Sequence, residues 1–150
     1  MQEIIALIFD FDDTLAPDST SGFLAQCGIN VPEFWQDEVQ PLLKDNWDPV
    51  PAYLFKMIEK SYAGEIPAVT KERLAKWGRD LPLYDGADQI FDRLREVAAK
   101  VNPRVSLEFY MVSSGISDVL KNTRIAHEFS DIWASDFVYD KDGLIKFPKK

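Results

Sequence analysis

The sequence predicts an α/β fold, in which a parallel sheet packs against helices and a helical segment is inserted between its strands. Residues 4–9 form a short apolar run without alternation, which is typical of a strand covered on both faces. Residues 105–112 form a second strand-like run, and an amphipathic helical pattern precedes it. Strands that alternate with helices along the chain define the α/β class.

Residues 16–81 have a helical pattern and separate the two parts of the predicted sheet. We therefore divide the chain into an α/β core, residues 1–15 and 82–150, and a helical insertion, residues 16–81. Three helices are expected in the insertion, each begun by a capping residue or proline and ended, or kinked, by proline or glycine. Their expected boundaries are Asn30 and Pro41, Pro49 and Gly64, and Thr70 and Gly78.

The α/β pattern resumes after the insertion. Residues 85–88 are expected to cap the amphipathic helix that precedes the second strand. That strand runs into Ser113, Ser114 and Gly115, and a further helix is expected at residues 116–123. The remaining predicted strands are residues 132–134, 137–139 and 144–147, the last two joined as a hairpin.

The composition describes a globular, acidic protein. Its 150 residues include 17 Lys and Arg against 25 Asp and Glu, for a net charge of -8. Nucleic-acid binders need clustered Lys and Arg, so we expect no nucleic-acid partner. The single cysteine excludes an intramolecular disulfide. No apolar run approaches the roughly 20 residues of a membrane-spanning helix, so we expect a cytoplasmic protein without a membrane partner.

Two aspartates, Asp10 and Asp12, directly follow the first predicted strand. Side chains of an extended chain repeat every two residues, so both carboxylates begin on the same side. The carboxyl end of a parallel strand is also where open α/β sheets bind ligands. Two close carboxylates repel each other unless one is protonated or a cation lies between them, and Mg²⁺ suits such a site. The alternative interpretation is an ordinary acidic loop at a strand end.

Ser113, Ser114 and Gly115 lie between the second predicted strand and a predicted helix. The N-terminus of a helix offers free backbone N–H groups, and a serine hydroxyl adds a donor, which together suit a phosphate oxygen. The same three residues are also common in turns and helix caps. Their combination with the two aspartates favours phosphate binding.

These motifs resemble those of a known family. Residues 4–15, an apolar strand followed by the pattern DxDxT, resemble the first motif of the haloacid dehalogenase superfamily. Residues 110–113, an apolar strand that ends in serine, resemble its second motif. The resemblance implies a Rossmann-like parallel sheet with a helical cap inserted after the first motif, which residues 16–81 would form.

The resemblance also implies a reaction and a role for each motif residue. Asp10 would be the nucleophile that forms an aspartyl-phosphate, and it would bind Mg²⁺. Asp12 would protonate the leaving alcohol, activate water and bind the metal through its backbone carbonyl, and we expect neighbouring charge to raise its pKa. A carboxylate at position 12 favours a phosphatase acting on a small phosphorylated metabolite over a dehalogenase. The residues implied to support the loop or to bind phosphate are Thr14, Ser113, Ser114 and Gly115.

Two further motifs of the family, a lysine or arginine and a final pair of aspartates, have no clear counterpart after Ser113. Lys146, Lys149 and Lys150 are candidates for the lysine, although surface charge in or after a hairpin describes them better. We therefore expect this chain to be the N-terminal part of a longer protein, with the missing motifs beyond Lys150.

Three consequences remain open at the level of sequence. The first strand would have an unpaired edge, and we expect self-association through it. A phosphotransferase of the same family is one alternative to the phosphatase. A catalytically inactive binding or regulatory module is the other, because two motifs are missing.

Overall fold

The computed structural model describes residues 3–149 and contains a three-stranded parallel sheet. Strand β1 (Glu3–Phe9) pairs with β2 (Val105–Ile116), and β2 pairs with β3 (Asp131–Ser135), in the order β1-β2-β3. A separate antiparallel hairpin consists of β4 (Phe137–Tyr139) and β5 (Ile145–Pro148). The predicted strands are therefore present. Lys150, a candidate for the missing lysine, lies outside the described residues.

Most of the helical residues lie between β1 and β2, as the sequence predicts. Helix α4 ends at Gly64, whose left-handed backbone (φ 73°) closes it without the strain that a Cβ would cause. Thr70 caps α5 through its side chain, which accepts a hydrogen bond from the N–H of Arg73 at 3.3 Å. The helices are α1 (Ser19–Gln26), α2 (Val31–Glu33), α3 (Gln40–Lys44), α4 (Pro49–Ala63), α5 (Lys71–Asp80), α6 (Ile90–Val101) and α7 (Ser117–Leu120).

Two of the predicted helix ends are wrong. Pro41 does not end a helix, because a π-helical segment, Phe34–Val39, joins α2 to α3 and places Pro41 in the first turn of α3. Proline is tolerated there, since its missing N–H would have no partner within that helix. Gly78 does not end α5 either. A Cβ at Gly78 would lie 2.1 Å from the carbonyl oxygen of Val119, so glycine is needed for close packing rather than for a turn.

The second strand is longer and the next helix shorter than the sequence predicts. Strand β2 continues to Ile116, so Ser113 and Gly115 lie within the strand, after a register shift that begins at Val112. Helix α7 has four residues instead of the eight expected at 116–123. Pairing between Ile116 and Ser135 of β3 holds the extension of β2, a contact between segments that local sequence patterns do not reveal.

Helix α6 begins later than its sequence pattern suggests. Residues 85–88 form turns instead of a direct cap, and Gln89 occupies the N-cap position without a side-chain hydrogen bond. Phe91 of α6 is fully buried and faces the sheet. The helix therefore covers the sheet as expected, although its first turn starts at Ile90.

The sheet is covered on one face only, which corrects the prediction of a doubly covered first strand. Phe9 of β1 contacts the rings of Phe91, Phe109 and Phe129 at centroid distances of 5.6–6.1 Å on the covered face. The opposite face leaves Ile8 69% exposed. Right-handed connections between successive parallel strands in the order β1-β2-β3 put both connecting segments on the same side of the sheet.

The insertion helices pack into a second apolar cluster. It joins α1, α4 and α5 to residues of the hairpin, such as Phe137 and Ile145, and to Ile116 and Val119. The boundary between core and insertion at residues 16–81 thus stays a prediction, since this cluster draws on both. No helix within residues 3–149 combines the length and apolar character needed to cross a membrane.

Candidate active site

A tight loop follows β1 and carries the aspartate motif. The carbonyl oxygen of Phe11 accepts backbone hydrogen bonds from Thr14, Leu15 and Ala16 at 2.8–3.3 Å. Asp13 takes a left-handed backbone (φ 58°), which aspartate tolerates better than most residues. Phe11 is fully buried and Leu15 nearly so, which anchors the loop in the core. The polar residues of the loop are thereby held at the carboxyl edge of the sheet.

Asp12 is partly buried and held by hydrogen bonds from two other segments. Its Oδ1 accepts the backbone N–H of Ser19 at 2.7 Å, and its Oδ2 lies 3.4 Å from the hydroxyl of Ser113. Burial raises the pKa of Asp12, hydrogen bonding from Ser19 opposes the rise, and the charges of Asp18 and Asp10 add to it. The direction agrees with the sequence prediction, but burial is a larger cause than neighbouring charge.

Asp10 lies in a different environment only two residues away. It is exposed, and its Oδ2 accepts a hydrogen bond from the Thr14 hydroxyl at 3.1 Å. Thr14 thus contacts the carboxylate of Asp10, consistent with support of the loop. The arrangement leaves Asp10 accessible to a substrate while Asp12 is held in place.

The serine motif of β2 lies beside Asp12, as the resemblance implies. The hydroxyl of Ser113 accepts the N–H of Gly115 at 3.0 Å, and the carbonyl of Ser114 accepts the hydroxyl of Tyr53 at 2.6 Å. A Cβ at Gly115 would lie 2.8 Å from Oδ2 of Asp12, so a larger residue there would displace the Asp12 carboxylate. The helix expected after this motif is reduced to the single turn of α7, because β2 continues to Ile116.

A small cavity of about 120 Å³ opens beside these residues. The loop of residues 10–16, α1, the π-helical segment, α4 and the end of β2 all contribute to its wall. Three carboxylates and two aromatic rings line it, and no lysine or arginine among residues 3–149 does so. The lining residues are Asp12, Asp13, Asp18, Thr20, Trp35, Tyr53, Ser114 and Gly115.

A larger and more open cleft of about 720 Å³ lies on the other side of the serine motif. It runs between the start of α4 at Pro49 and the end of β3 at Trp133, and Ser113 and Ser114 line it. Ser114 therefore lies between the small cavity and the open cleft.

Several residues at this site were missed or set aside by sequence reasoning. Aromatic residues of a helical segment usually belong to the core, yet Trp35 and Tyr53 both line the cavity. Asp18 was not singled out. It caps α1, accepting the N–H of Ser21 at 2.9 Å and its hydroxyl at 2.6 Å. The sequence Asp-Ser-Thr-Ser is a usual helix start, and that signal could have located Asp18 and Ser19 beside the aspartate motif.

The structure does not bring the other candidate residues to this site. Lys146 lies in β5 and Lys149 follows it, both exposed on the hairpin side of the molecule. Within the described part of the chain, no group of three or more His, Cys, Asp or Glu residues is placed to hold a metal ion. Asp10 and Asp12 supply hard oxygen donors, and Mg²⁺ sites often use one or two carboxylates completed by water and substrate phosphate. The donor set is therefore compatible with Mg²⁺.

Comparison of the sequence with known proteins gives one distant relative. An uncharacterized protein of Borreliella burgdorferi is 27% identical over 145 residues, which cover 91% of this chain and 51% of that protein. This chain thus spans about half the length of the curated relative that it matches. No protein-family model matches the sequence.

Solved structures give a clearer result for the fold. A phosphoserine phosphohydrolase-like protein from Francisella tularensis has a TM-score of 0.60 at 19% identity, over 99% of this chain and 65% of that chain. A HAD family hydrolase from Salmonella enterica serovar Typhi has a TM-score of 0.63 at 12% identity, over 99% of this chain and 46% of that chain. A phosphoserine phosphatase, solved as a phospho-aspartyl intermediate analogue, has a TM-score of 0.61 at 16% identity, over 96% of this chain and 61% of that chain.

These similarities concern the fold, because all the identities are below 20%. The chain has the Rossmann-like α/β fold of haloacid dehalogenase (HAD) hydrolases and phosphatases. The fold class predicted from the sequence is thereby confirmed. The roles of the individual site residues stay predictions.

Proposed function

We propose that the protein to which this chain belongs is a Mg²⁺-dependent phosphomonoester hydrolase that acts through an aspartyl-phosphate at Asp10. The main support is the contrast between the two aspartates of one loop. Asp10 is exposed and accessible, whereas Asp12 is partly buried, hydrogen-bonded and raised in pKa. An exposed carboxylate beside a buried carboxyl of raised pKa suits a division of labour between a nucleophile and an acid.

In this proposal Asp10 attacks the phosphorus of the substrate. The ionised Oδ1 or Oδ2 forms a bond to phosphorus, and the bond to the ester oxygen breaks. The hydroxyl of Thr14, 3.1 Å from Oδ2, restricts the rotation of the Asp10 side chain. Asp12 gives its proton to the departing ester oxygen, because a raised pKa keeps a larger fraction of this carboxyl protonated. The resulting carboxylate then accepts a proton from the water that hydrolyses the aspartyl-phosphate.

Phosphate binding is assigned to the end of β2. Ser113 has its hydroxyl beside Asp12, and Ser114 borders both the small cavity and the open cleft. Asp10 and the backbone carbonyl of Asp12 would hold Mg²⁺. When bound, the ion supplies positive charge that favours the ionised form of Asp10 and offsets the charge of the phosphate.

The substrate is proposed to be a small phosphorylated metabolite. The cavity beside Asp12 has a volume of about 120 Å³, so a compact leaving group fits better than a polymer. The acidic lining and the net charge of -8 also disfavour a nucleic-acid substrate. A phosphotransferase would use the same aspartyl-phosphate and differ in passing the phosphoryl group to an alcohol instead of water.

One observation favours a catalytically inactive binding module as the second candidate. Three carboxylates line the cavity, and no lysine or arginine in the described part of the chain is among its lining residues. Phosphoryl transfer relies on positive charge around the equatorial oxygens, so such a lining by itself would hold a phosphate weakly.

The proposal is tested with Asp10→Asn and with Asp88→Asn, an exposed aspartate of the turn before α6, as the matched control. We expect Asp10→Asn to lower kcat toward a phosphomonoester by about 10³-fold or more, because the amide is a poor nucleophile. The Asp88 variant should match the parent protein. Circular dichroism would check that both variants keep the fold.

A second measurement separates the enzyme from the binding module. Beryllofluoride mimics an aspartyl-phosphate, so the parent protein should bind it in a Mg²⁺-dependent manner and the Asp10→Asn variant should not. Equal binding by both proteins, or turnover retained by Asp10→Asn, would exclude Asp10 as the nucleophile. Failure of the parent protein both to turn over a phosphomonoester and to bind beryllofluoride would favour the inactive module.

A further inference from the structure

Trp77 connects the helical insertion with the segment that follows the loop of residues 10–16. It lies on α5, is half-buried, and packs against both apolar clusters of the molecule. Its indole N–H donates a hydrogen bond to the carbonyl oxygen of Ser19 at 2.8 Å. A Cβ at Gly22 would lie 2.6 Å from the indole ring, so the ring packs directly against the backbone of α1. The indole is thus confined from both sides.

Ser19 is the residue through which Trp77 reaches the site. Its carbonyl accepts the indole N–H, and its own N–H donates to Oδ1 of Asp12 at 2.7 Å. Because these two groups belong to successive peptide units, the two hydrogen bonds together define the orientation of the Ser19 backbone. Ser19 is 1% exposed. Its backbone therefore connects Trp77 with Asp12.

We infer that Trp77 is a positioning residue for the carboxyl of Asp12. It holds the Ser19 peptide so that the Ser19 N–H points at Oδ1, which leaves Oδ2 directed toward Ser113 and the position next to Gly115. The second half of this inference, that the orientation matters for proton transfer to the leaving group, rests on the proposed function. The first half concerns the folded chain alone and is tested separately.

The structural half is tested by amide hydrogen exchange of Ser19 in Trp77→Phe. Phenylalanine keeps an aromatic ring in the packing position and removes the N–H donor. We expect the Ser19 amide to exchange about 5-fold faster, the effect of one net hydrogen bond on a local opening equilibrium. Trp47→Phe is the matched control, since Trp47 packs on Phe55 in the insertion and lines neither cavity of the site. An unchanged Ser19 amide in Trp77→Phe would overturn the inference.

The catalytic half is tested by comparing two substrates that differ in leaving group. An alkyl phosphate needs a proton on its departing oxygen, whereas p-nitrophenolate departs with little help from an acid. Because kcat/KM reports only the steps up to release of the leaving group, it excludes the later hydrolysis of the aspartyl-phosphate, which both substrates share. Trp77→Phe should lower kcat/KM for the alkyl phosphate by about 10-fold and kcat/KM for p-nitrophenyl phosphate by less than about 2-fold. An equal loss of kcat/KM for both substrates would indicate general structural damage and overturn the inference.

Combining the change with Asp12→Asn shows whether Trp77 acts through Asp12. If it does, Trp77→Phe has no further effect on kcat/KM for the alkyl phosphate in the Asp12→Asn background. Additive losses would contradict the inference. If the parent protein hydrolyses neither substrate, the proposed function fails, while the exchange rate of the Ser19 amide still decides whether Trp77 positions this peptide.

Discussion

The two faces of the parallel sheet have opposite surroundings although they are built by the same strands. On one face, Phe91 of α6 and Phe109 of β2 lie in edge-to-face contact, with ring centroids 5.1 Å apart. On the other face, Trp133 is 47% exposed and stacks on Tyr110 of the neighbouring strand, with an interplanar angle of 9°. Burial against a helix stabilises the first pair, whereas the second pair is partly exposed to solvent.

The loop of the candidate site is anchored in the covered face. Phe11 and Leu15 of this loop belong to the same apolar cluster as Phe91. The orientation of Asp12 therefore depends on packing beneath the loop. The hydrogen bonds described for Asp12 come from Ser19 and Ser113. The difference between the faces predicts that substitutions will act on stability very unequally.

The largest effect is expected from Phe91→Ala. This change leaves a cavity among Phe9, Phe109 and Phe129, and it should lower the free energy of unfolding by about 3–5 kcal/mol. Urea denaturation followed by circular dichroism measures it. Ile8→Ala, on the open face, is the control and should cost less than about 1 kcal/mol. Similar losses in the two variants would mean that the open face is covered in solution.

A smaller effect is expected from Trp133→Ala. The substitution removes the stacking of Trp133 on Tyr110, whose ring centroids are 5.6 Å apart. It removes little buried area, because Trp133 is half exposed. The free energy of unfolding should fall by about 1 kcal/mol, the usual value of an aromatic pair. A loss close to that of Phe91→Ala, measured in the same denaturation series, would show that the stacked pair is buried by a partner.

The smallest effect on stability, and a distinct effect on assembly, is expected from Ile8→Lys. Strand β1 is the edge of the described sheet, and Ile4 and Ile8 are 61% and 69% exposed beside that edge. We expect the parent protein to self-associate through β1 as its concentration rises, since an apolar edge strand pairs readily with another. A lysine should prevent this while changing the free energy of unfolding by no more than about 0.5 kcal/mol.

Light scattering measures that outcome directly. The mass of the 150-residue chain should increase with concentration, and that of its Ile8→Lys variant should stay at 17.2 kDa, the mass of one copy. A parent protein that stays monomeric at all concentrations would contradict self-association through β1.

Local patterns predicted those parts of the fold that depend on residues close together in the chain. The helix of residues 49–63, its stop at Gly64 and the hairpin of β4 and β5 follow from periodicity and turn chemistry. Gly78 and Pro41 were misinterpreted because the outcome depended on what packs against them. The carbonyl oxygen of Val119 packs against Gly78, and a π-helical segment places Pro41 in the first turn of α3.

The sequence by itself determined the α/β class, the position of Asp10 and Asp12 after the first strand, and the serine motif near the end of the second strand. These features depend on hydrophobic runs and on spacings of a few residues. Only the tertiary structure decided that Asp12 is buried, that Ser113 lies beside it, and that one face of the sheet is open. Ser113 and Asp12 are 101 residues apart in the chain, and Trp77 and Ser19 are 58 apart. Contacts over such separations depend on how whole elements pack, and hydrophobic periodicity within one segment contains no information about its partner.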